Sequence, residues 1–209
     1  MCANLEIALM ASDALSVLDA AGVASAHVYG VSMGGMIAQE LTLQHPERVR
    51  SLILGCTASG GPTSVPADPE VRKVLMARGS MSPEEAAEVG IPFIYDSGTQ
   101  RARIDEDLEV RRPWFPRGEA YNAQLQGILA WESYSRLPQI AKPTLVIHGE
   151  SDRLVPPANG KLIADRIPGA KLVLLPHASH LFQTDQPDAS MGAITEFLAS
   201  IADKPRQPA

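Results

Sequence analysis

Apolar residues recur with two different periods along this chain. From Asn4 to Ala21 the residues Ile7, Met10, Ala11, Ala14, Leu15 and Leu18 fall at three-to-four spacing before Gly22, which predicts an amphipathic helix. The short run Ala26-His27-Val28-Tyr29 suits a buried strand, and it turns through Gly30 to Gly34 into a helical pattern. That helix is predicted from Met33 to Gln44, burying Met36, Ile37 and Leu41 and ending at His45-Pro46. Val49 to Leu54 is a second strand, finishing at Gly55, and Thr144 to His148 is a third. Ala158 to Ile167 is helical and closed by Pro168-Gly169; Lys171 to Leu175 is a fourth strand. A last helix opens near Pro187 and buries Met191, Ile194, Phe197, Leu198 and Ile201. Strands alternating with helices predict an α/β fold, a parallel sheet covered on both faces.

The middle of the chain has another texture. Thr57 to Pro69 is rich in Gly, Pro, Ser and Thr and reads as loop. Asp68 to Tyr134 shows helical patches broken by Pro83, Pro92, Pro113 and Pro116, with no convincing strand. The charged run around Arg101, Arg103, Asp105, Glu106, Asp107, Glu109, Arg111 and Arg112 reads as a solvated helix surface laced with ion pairs. Trp114, Phe115, Tyr121 and Trp131 give the segment a core of its own or the wall of a pocket. The expected division is an α/β core of residues 1–56 and 139–203, an inserted helical cap at 57–138, and a disordered tail at 204–209.

Composition narrows the function classes. The 209 residues suffice for one domain with a sizeable core plus an insertion, and 45% are apolar. A net charge of −6 does not indicate a nucleic-acid or anionic-membrane partner. Cys2 and Cys56 form no spaced set for disulfides or zinc, and no metal or cofactor is implied. No run approaches membrane-spanning length, and the start, with Glu6 and Asp13 flanking a brief apolar patch, lacks a basic leader. A cytoplasmic enzyme fits best.

The candidate chemistry begins at Gly30-Val31-Ser32-Met33-Gly34, a G-x-S-x-G turn between strand and helix. A turn that sharp strains the serine backbone, so side chains at Gly30 and Gly34 are expected to be excluded, while Gly35 eases helix packing. The Met33 N–H would sit at a helix N-terminus, where it can stabilise an oxyanion. A serine hydroxyl needs a base, and the base needs an orienting acid. Of five histidines, His27 lies within a strand, His45 caps a helix, and His148 ends the third strand and could be packed there. His177 and His180 share the loop after the fourth strand, and His180 has the reach to lean over Ser32. Asp152, in the turn after the third strand, is the expected acid, with Glu150 in reserve. In a parallel sheet these loops share one edge, where sites form.

With its GVSMGG from Gly30, HPERVRSLIL from His45, HGESDRLVP from His148 and HASHLF from His177, the chain resembles the α/β-hydrolase superfamily over nearly its whole length. The resemblance implies Ser32 as nucleophile, His180 as base then acid, and Asp152 as orienter, with a cap between the second and third strands. The small cap and Gly55-Cys56-Thr57 look like enol-lactonase and esterase members; serine at the elbow argues against the dehalogenase and epoxide-hydrolase branches. The implied activity is hydrolysis of a small-molecule carboxylic ester, lactone or thioester. The alternatives are cofactor-free perhydrolysis or haloperoxidation, carbon–carbon hydrolysis, or a catalytically impaired fragment. Family members carry further strands before the helix at which this chain starts, and one of those loops supplies a second oxyanion donor. Met33 is the one donor nameable here, and losing a donor costs about two to three orders of magnitude in rate. The expectation is a truncated product or fragment, or a chain that borrows an edge along Ala26 to Val31, including from another copy of itself.

Overall fold

The computed structural model describes residues 5–116 and 118–202. The expected helix start at Asn4, Cys2 and the tail at 204–209 lie outside the described residues. Four parallel strands, β1 (Ala26–Val31), β2 (Val49–Gly55), β3 (Thr144–Gly149) and β4 (Lys171–Leu175), lie side by side in chain order. Their alternating side chains feed two cores, because successive residues of a strand point to opposite faces. Leu52, Leu54 and Val146 pack on one face against Ala38 of α2 (Met33–Gln44) and Ile163 of α7 (Ala158–Arg166). Ile53, Leu145 and Ile147 pack on the other against Phe182 of the short α8 (Phe182–Asp185) and Phe197 of α9 (Pro187–Ala202). The result is the expected three-layer α/β arrangement. Beside α2 lies α1 (Ile7–Ala20), whose Ala11 meets Leu41 of α2 and Val49 of β2.

β3 is buried along its whole length, as its continuous apolar run requires. β1 differs from the buried strand expected: His27 and Tyr29 are exposed, because β2 is its one neighbour among the described residues. Met191 is also exposed, and α9 instead turns Phe197 inward, with Ile194, Leu198 and Ile201 partly covered.

Between β2 and β3 the chain forms α3 (Pro69–Ala77), α4 (Pro83–Ile94), α5 (Arg101–Arg111) and α6 (Gly118–Ala130). Ser82 and Glu85 cap α4 reciprocally, and Pro83 takes the first helical position, where its missing N–H costs nothing. Pro92 does not break α4 as expected; it sits in the last turn, and the helix ends two residues later. Val71, Phe93, Ile94, Ile104 and Leu108 make a separate apolar cluster, against which Leu154 and Leu181 of the α/β part also pack. No helix among the described residues is long and apolar enough to cross a membrane.

Candidate active site

Ser32 stands between β1 and α2 with φ 56° and ψ −123°, a conformation that costs a non-glycine residue about 1–3 kcal/mol. The surrounding bonds hold it there. Its N–H donates to Gly55 O at 2.9 Å, and its carbonyl accepts from Gly35 N–H at 2.9 Å and from Thr57 Oγ1 at 2.7 Å. Its hydroxyl makes no capping bond to α2 and stays available. Gly30 is required, because a Cβ there would stand 2.1 Å from Gly34 O. Gly34 is not required on that ground: a Cβ on it meets nothing within 4 Å. The space constraint falls on Gly35 instead, where a Cβ would lie 2.6 Å from Thr57 Cβ. Met33 opens α2, so its N–H belongs to the first turn and has no acceptor within the helix.

Asp152 and His180 meet across two loops at the same edge of the sheet. Asp152 Oδ1 accepts from the Leu154 and Val155 N–H groups at 2.9 and 2.8 Å, and Oδ2 accepts from His180 Nδ1 at 2.8 Å. Both side chains are buried. Burial pushes the Asp152 carboxyl up, but the His180 charge and the hydrogen bonds from His148 and His180 outweigh it and hold the group well below the usual carboxylate range. An ionised Asp152 fixes the His180 proton on Nδ1 and leaves Nε2 with a free lone pair. Glu150 is exposed, and His177, also exposed, takes φ 55° at the start of the loop.

Sequence reasoning missed two residues. His148 is fully buried, with Nε2 2.8 Å from Val155 O and 3.4 Å from Asp152 Oδ2. A carbonyl only accepts, so the proton is on Nε2 and shared with Asp152. Its Nδ1 has no partner and is closed in by Gly160, where a Cβ would stand 2.7 Å away. A histidine four residues before the chosen acid was the available signal. Asp185 is the second. It accepts from Ser179 N–H at 2.7 Å, from Asp96 N–H at 3.1 Å and from Thr99 Oγ1 at 2.6 Å, tying the residue before His180 to the α4–α5 connection. Nothing in its local sequence marks it.

Ser32, Met33 and His180 open on one cavity of about 690 Å³, which Leu75, Phe115, Tyr121 and Leu125 also line. No hydrogen bond joins Ser32 to His180; such contacts are often long without substrate. The charged run is partly the solvated surface expected, with Arg101 paired to Asp105 and Glu88. Its inner face is not: Asp107 and Arg111 line the cavity, and Asp107 accepts from Tyr95, Arg111 and Thr184. Trp114 is 83% exposed and walls nothing, whereas Trp131 is buried against Ile7 and Met36.

Among the described residues, Cys56, His148 and Asp152 bring ligand-type atoms within 4.8 Å of one another. Each is already committed. The Cys56 thiol, pushed well up by burial, contacts Ser179 O and Gly149 N, and His148 Nε2 and both Asp152 oxygens are bonded as above. The donor set fits structural polar packing rather than a metal site.

Comparison with known proteins supports the same frame. The family model described as "Serine aminopeptidase, S33" matches residues 13–187. The chain is 34% identical over 186 residues to a poly(3-hydroxyalkanoate) depolymerase of Ectopseudomonas oleovorans, covering 87% of this chain and 64% of that protein. It is 33% identical over 196 residues to a protein of Azorhizobium caulinodans named "Putative carbamate hydrolase RutD", covering 92% and 73%. The chain therefore spans a little under two thirds of the first relative and about three quarters of the second. The crystal structure of the enol-lactonase from Burkholderia xenovorans LB400 superposes with a TM-score of 0.80 at 26% identity, over 94% of this chain and 74% of that one. Sheet order, elbow, family match and relatives agree, and the chain belongs to the α/β-hydrolase superfamily.

Proposed function

We propose that this chain is a serine hydrolase that cleaves a carboxylic ester, lactone or thioester of a small molecule through an acyl-enzyme. The observation that carries this reading is the buried Asp152–His180 hydrogen bond in a cavity that also presents Ser32 on its strained turn. Ionised Asp152 keeps the His180 proton on Nδ1, so Nε2 accepts the Ser32 proton as Oγ attacks the carbonyl carbon. The resulting oxyanion lies at the N-terminus of α2, where the Met33 N–H donates and the helix dipole favours negative charge. His180 then gives its Nε2 proton to the leaving oxygen or sulfur. Water enters and loses a proton to the same nitrogen as its oxygen attacks the acyl carbon; the bond to Ser32 Oγ then breaks, Oγ takes that proton back from His180, and the acid leaves. Helices α3–α6 serve as the cap that shields these steps from bulk water. The names of the relatives, a depolymerase, a carbamate hydrolase and an enol-lactonase, are compatible with attack at a carbonyl.

The test is the intact mass of folded protein after treatment with a fluorophosphonate. One adduct, absent from Ser32→Ala, is expected. A folded protein that takes no adduct would overturn the reading.

A further inference from the structure

Two guanidinium groups line the cavity above Ser32, and they differ in what balances them. Arg111 Nη1 is 3.0 Å from Asp107 Oδ2, so its charge is met. Arg78, in the turn after α3, has no carboxylate partner among the described residues. Its guanidinium carbon lies 5.3 Å from the Phe115 ring centroid and 5.8 Å from that of Tyr121. Aromatic faces hold a guanidinium by its plane and leave the N–H edges free to donate. Burial lowers the Arg78 pKa, the nearby Arg111 charge lowers it further, and Tyr121 opposes both. A half-buried cation lining a mostly apolar cavity, with no carboxylate partner among the described residues, is an incomplete ion pair.

We infer that Arg78 anchors a carboxylate on the substrate, so that the preferred ester, lactone or thioester carries an acid group remote from the carbonyl attacked by Ser32. A single unmatched guanidinium balances one negative charge. With Asp107 met by Arg111, a doubly charged group such as a phosphate monoester would leave one of its charges unbalanced. The substrate class rests on the hydrolase reading above, but the anion site can be measured without turnover.

Binding of monomethyl adipate and of neutral methyl hexanoate to the Ser32→Ala chain is compared by calorimetry at low salt. The anionic ester is expected to bind about tenfold to a hundredfold tighter. That preference should vanish in Ser32→Ala/Arg78→Met and survive in part in Ser32→Ala/Arg78→Lys, which keeps the charge but loses the fork. Equal binding of the two esters to Ser32→Ala overturns the site even if no Arg78 variant folds, and so does a preference that persists in Arg78→Met. Fluorophosphonate labelling of the unmutated chain separates the two readings. Labelling without the preference removes the anion site and leaves the hydrolase; the preference without labelling does the reverse.

Discussion

Asp152 serves two histidines through one oxygen. Oδ2 receives His180 Nδ1 at 2.8 Å and lies 3.4 Å from His148 Nε2, while two backbone N–H groups occupy Oδ1. All the nearby donors therefore favour a fixed, ionised carboxylate. Replacing it with asparagine keeps the shape but puts an N–H where His180 needs an acceptor, which drives the imidazole to the tautomer with Nε2 protonated. On the proposed mechanism Asp152→Asn is expected to lower kcat for ester hydrolysis by about four orders of magnitude, as loss of the acid does in Ser-His-Asp sites, with KM changed little. Steady-state kinetics on a 4-nitrophenyl ester check this. A loss of tenfold or less would show that Asp152 does not set the tautomer. His148 was legible as a packed strand end, but not as the second neighbour of Asp152. That pairing depends on how the 148–155 loop folds back, which a linear pattern does not encode.

The element that matters most to the site is α2, since Ser32 stands at its N-cap and Met33 opens its first turn. Apolar packing fixes its inner face, but a polar clasp fixes the side that meets the chain after α6. Buried Glu40 accepts from Trp131 Nε1 at 2.7 Å, from Arg136 through two nitrogens at 3.0 and 2.9 Å, and from Gln44 at 2.8 Å. Gln39 adds bonds to Gly35 O, Ala58 O and Ser133 Oγ. Burial raises the Glu40 pKa, but Arg136, Trp131 and Gln44 more than reverse this and the carboxyl ends below its usual value. Glu40→Ala would leave the indole and the guanidinium without their acceptor. It is expected to cost about 3 kcal/mol in urea unfolding, the lower end of the range for breaking a buried pair because Arg136 is partly in water. A cost under 1 kcal/mol would mean water replaces the carboxylate. The helix itself was readable from its 3.6-residue period. The clasp was not, because Glu40 and Gln39 look like ordinary surface residues until the 131–136 stretch is laid across them.

For the whole molecule, the depressed Asp152 pKa is also a statement about stability. A carboxyl whose native pKa lies below its unfolded value of about 3.9 contributes stability that is complete above that value and drains away as pH falls through the native one. Asp185 has the opposite sign: burial raises it, so its ionised form weighs against folding above the raised value, and that cost lessens as pH falls toward the ordinary range. Subtracting a single variant isolates the first effect. The unfolding free energy of the wild-type chain minus that of Asp152→Asn, from urea titrations, is expected to shrink as pH falls below about 4. A difference that stays flat to the acid limit would contradict an ionised, hydrogen-bonded Asp152.

What the sequence determined by itself was local. Periodicity placed all four strands and α1, α2, α7 and α9 to within a residue or two where described, because burial on a sheet face or helix stripe repeats every two or 3.6 residues. Spacing brought Ser32, Asp152 and His180 to one edge, because parallel strands end on one side. The tertiary structure alone decided what depends on pairs distant in the chain. It made Gly35 rather than Gly34 the tight position. It set Asp185 behind the His180 loop and Glu40 under Trp131, and left Arg78 lining the cavity that holds Ser32 without a carboxylate partner among the described residues. Each of these is a contact between segments whose separation carries no periodic signal, so folding had to bring them together before their chemistry could be read.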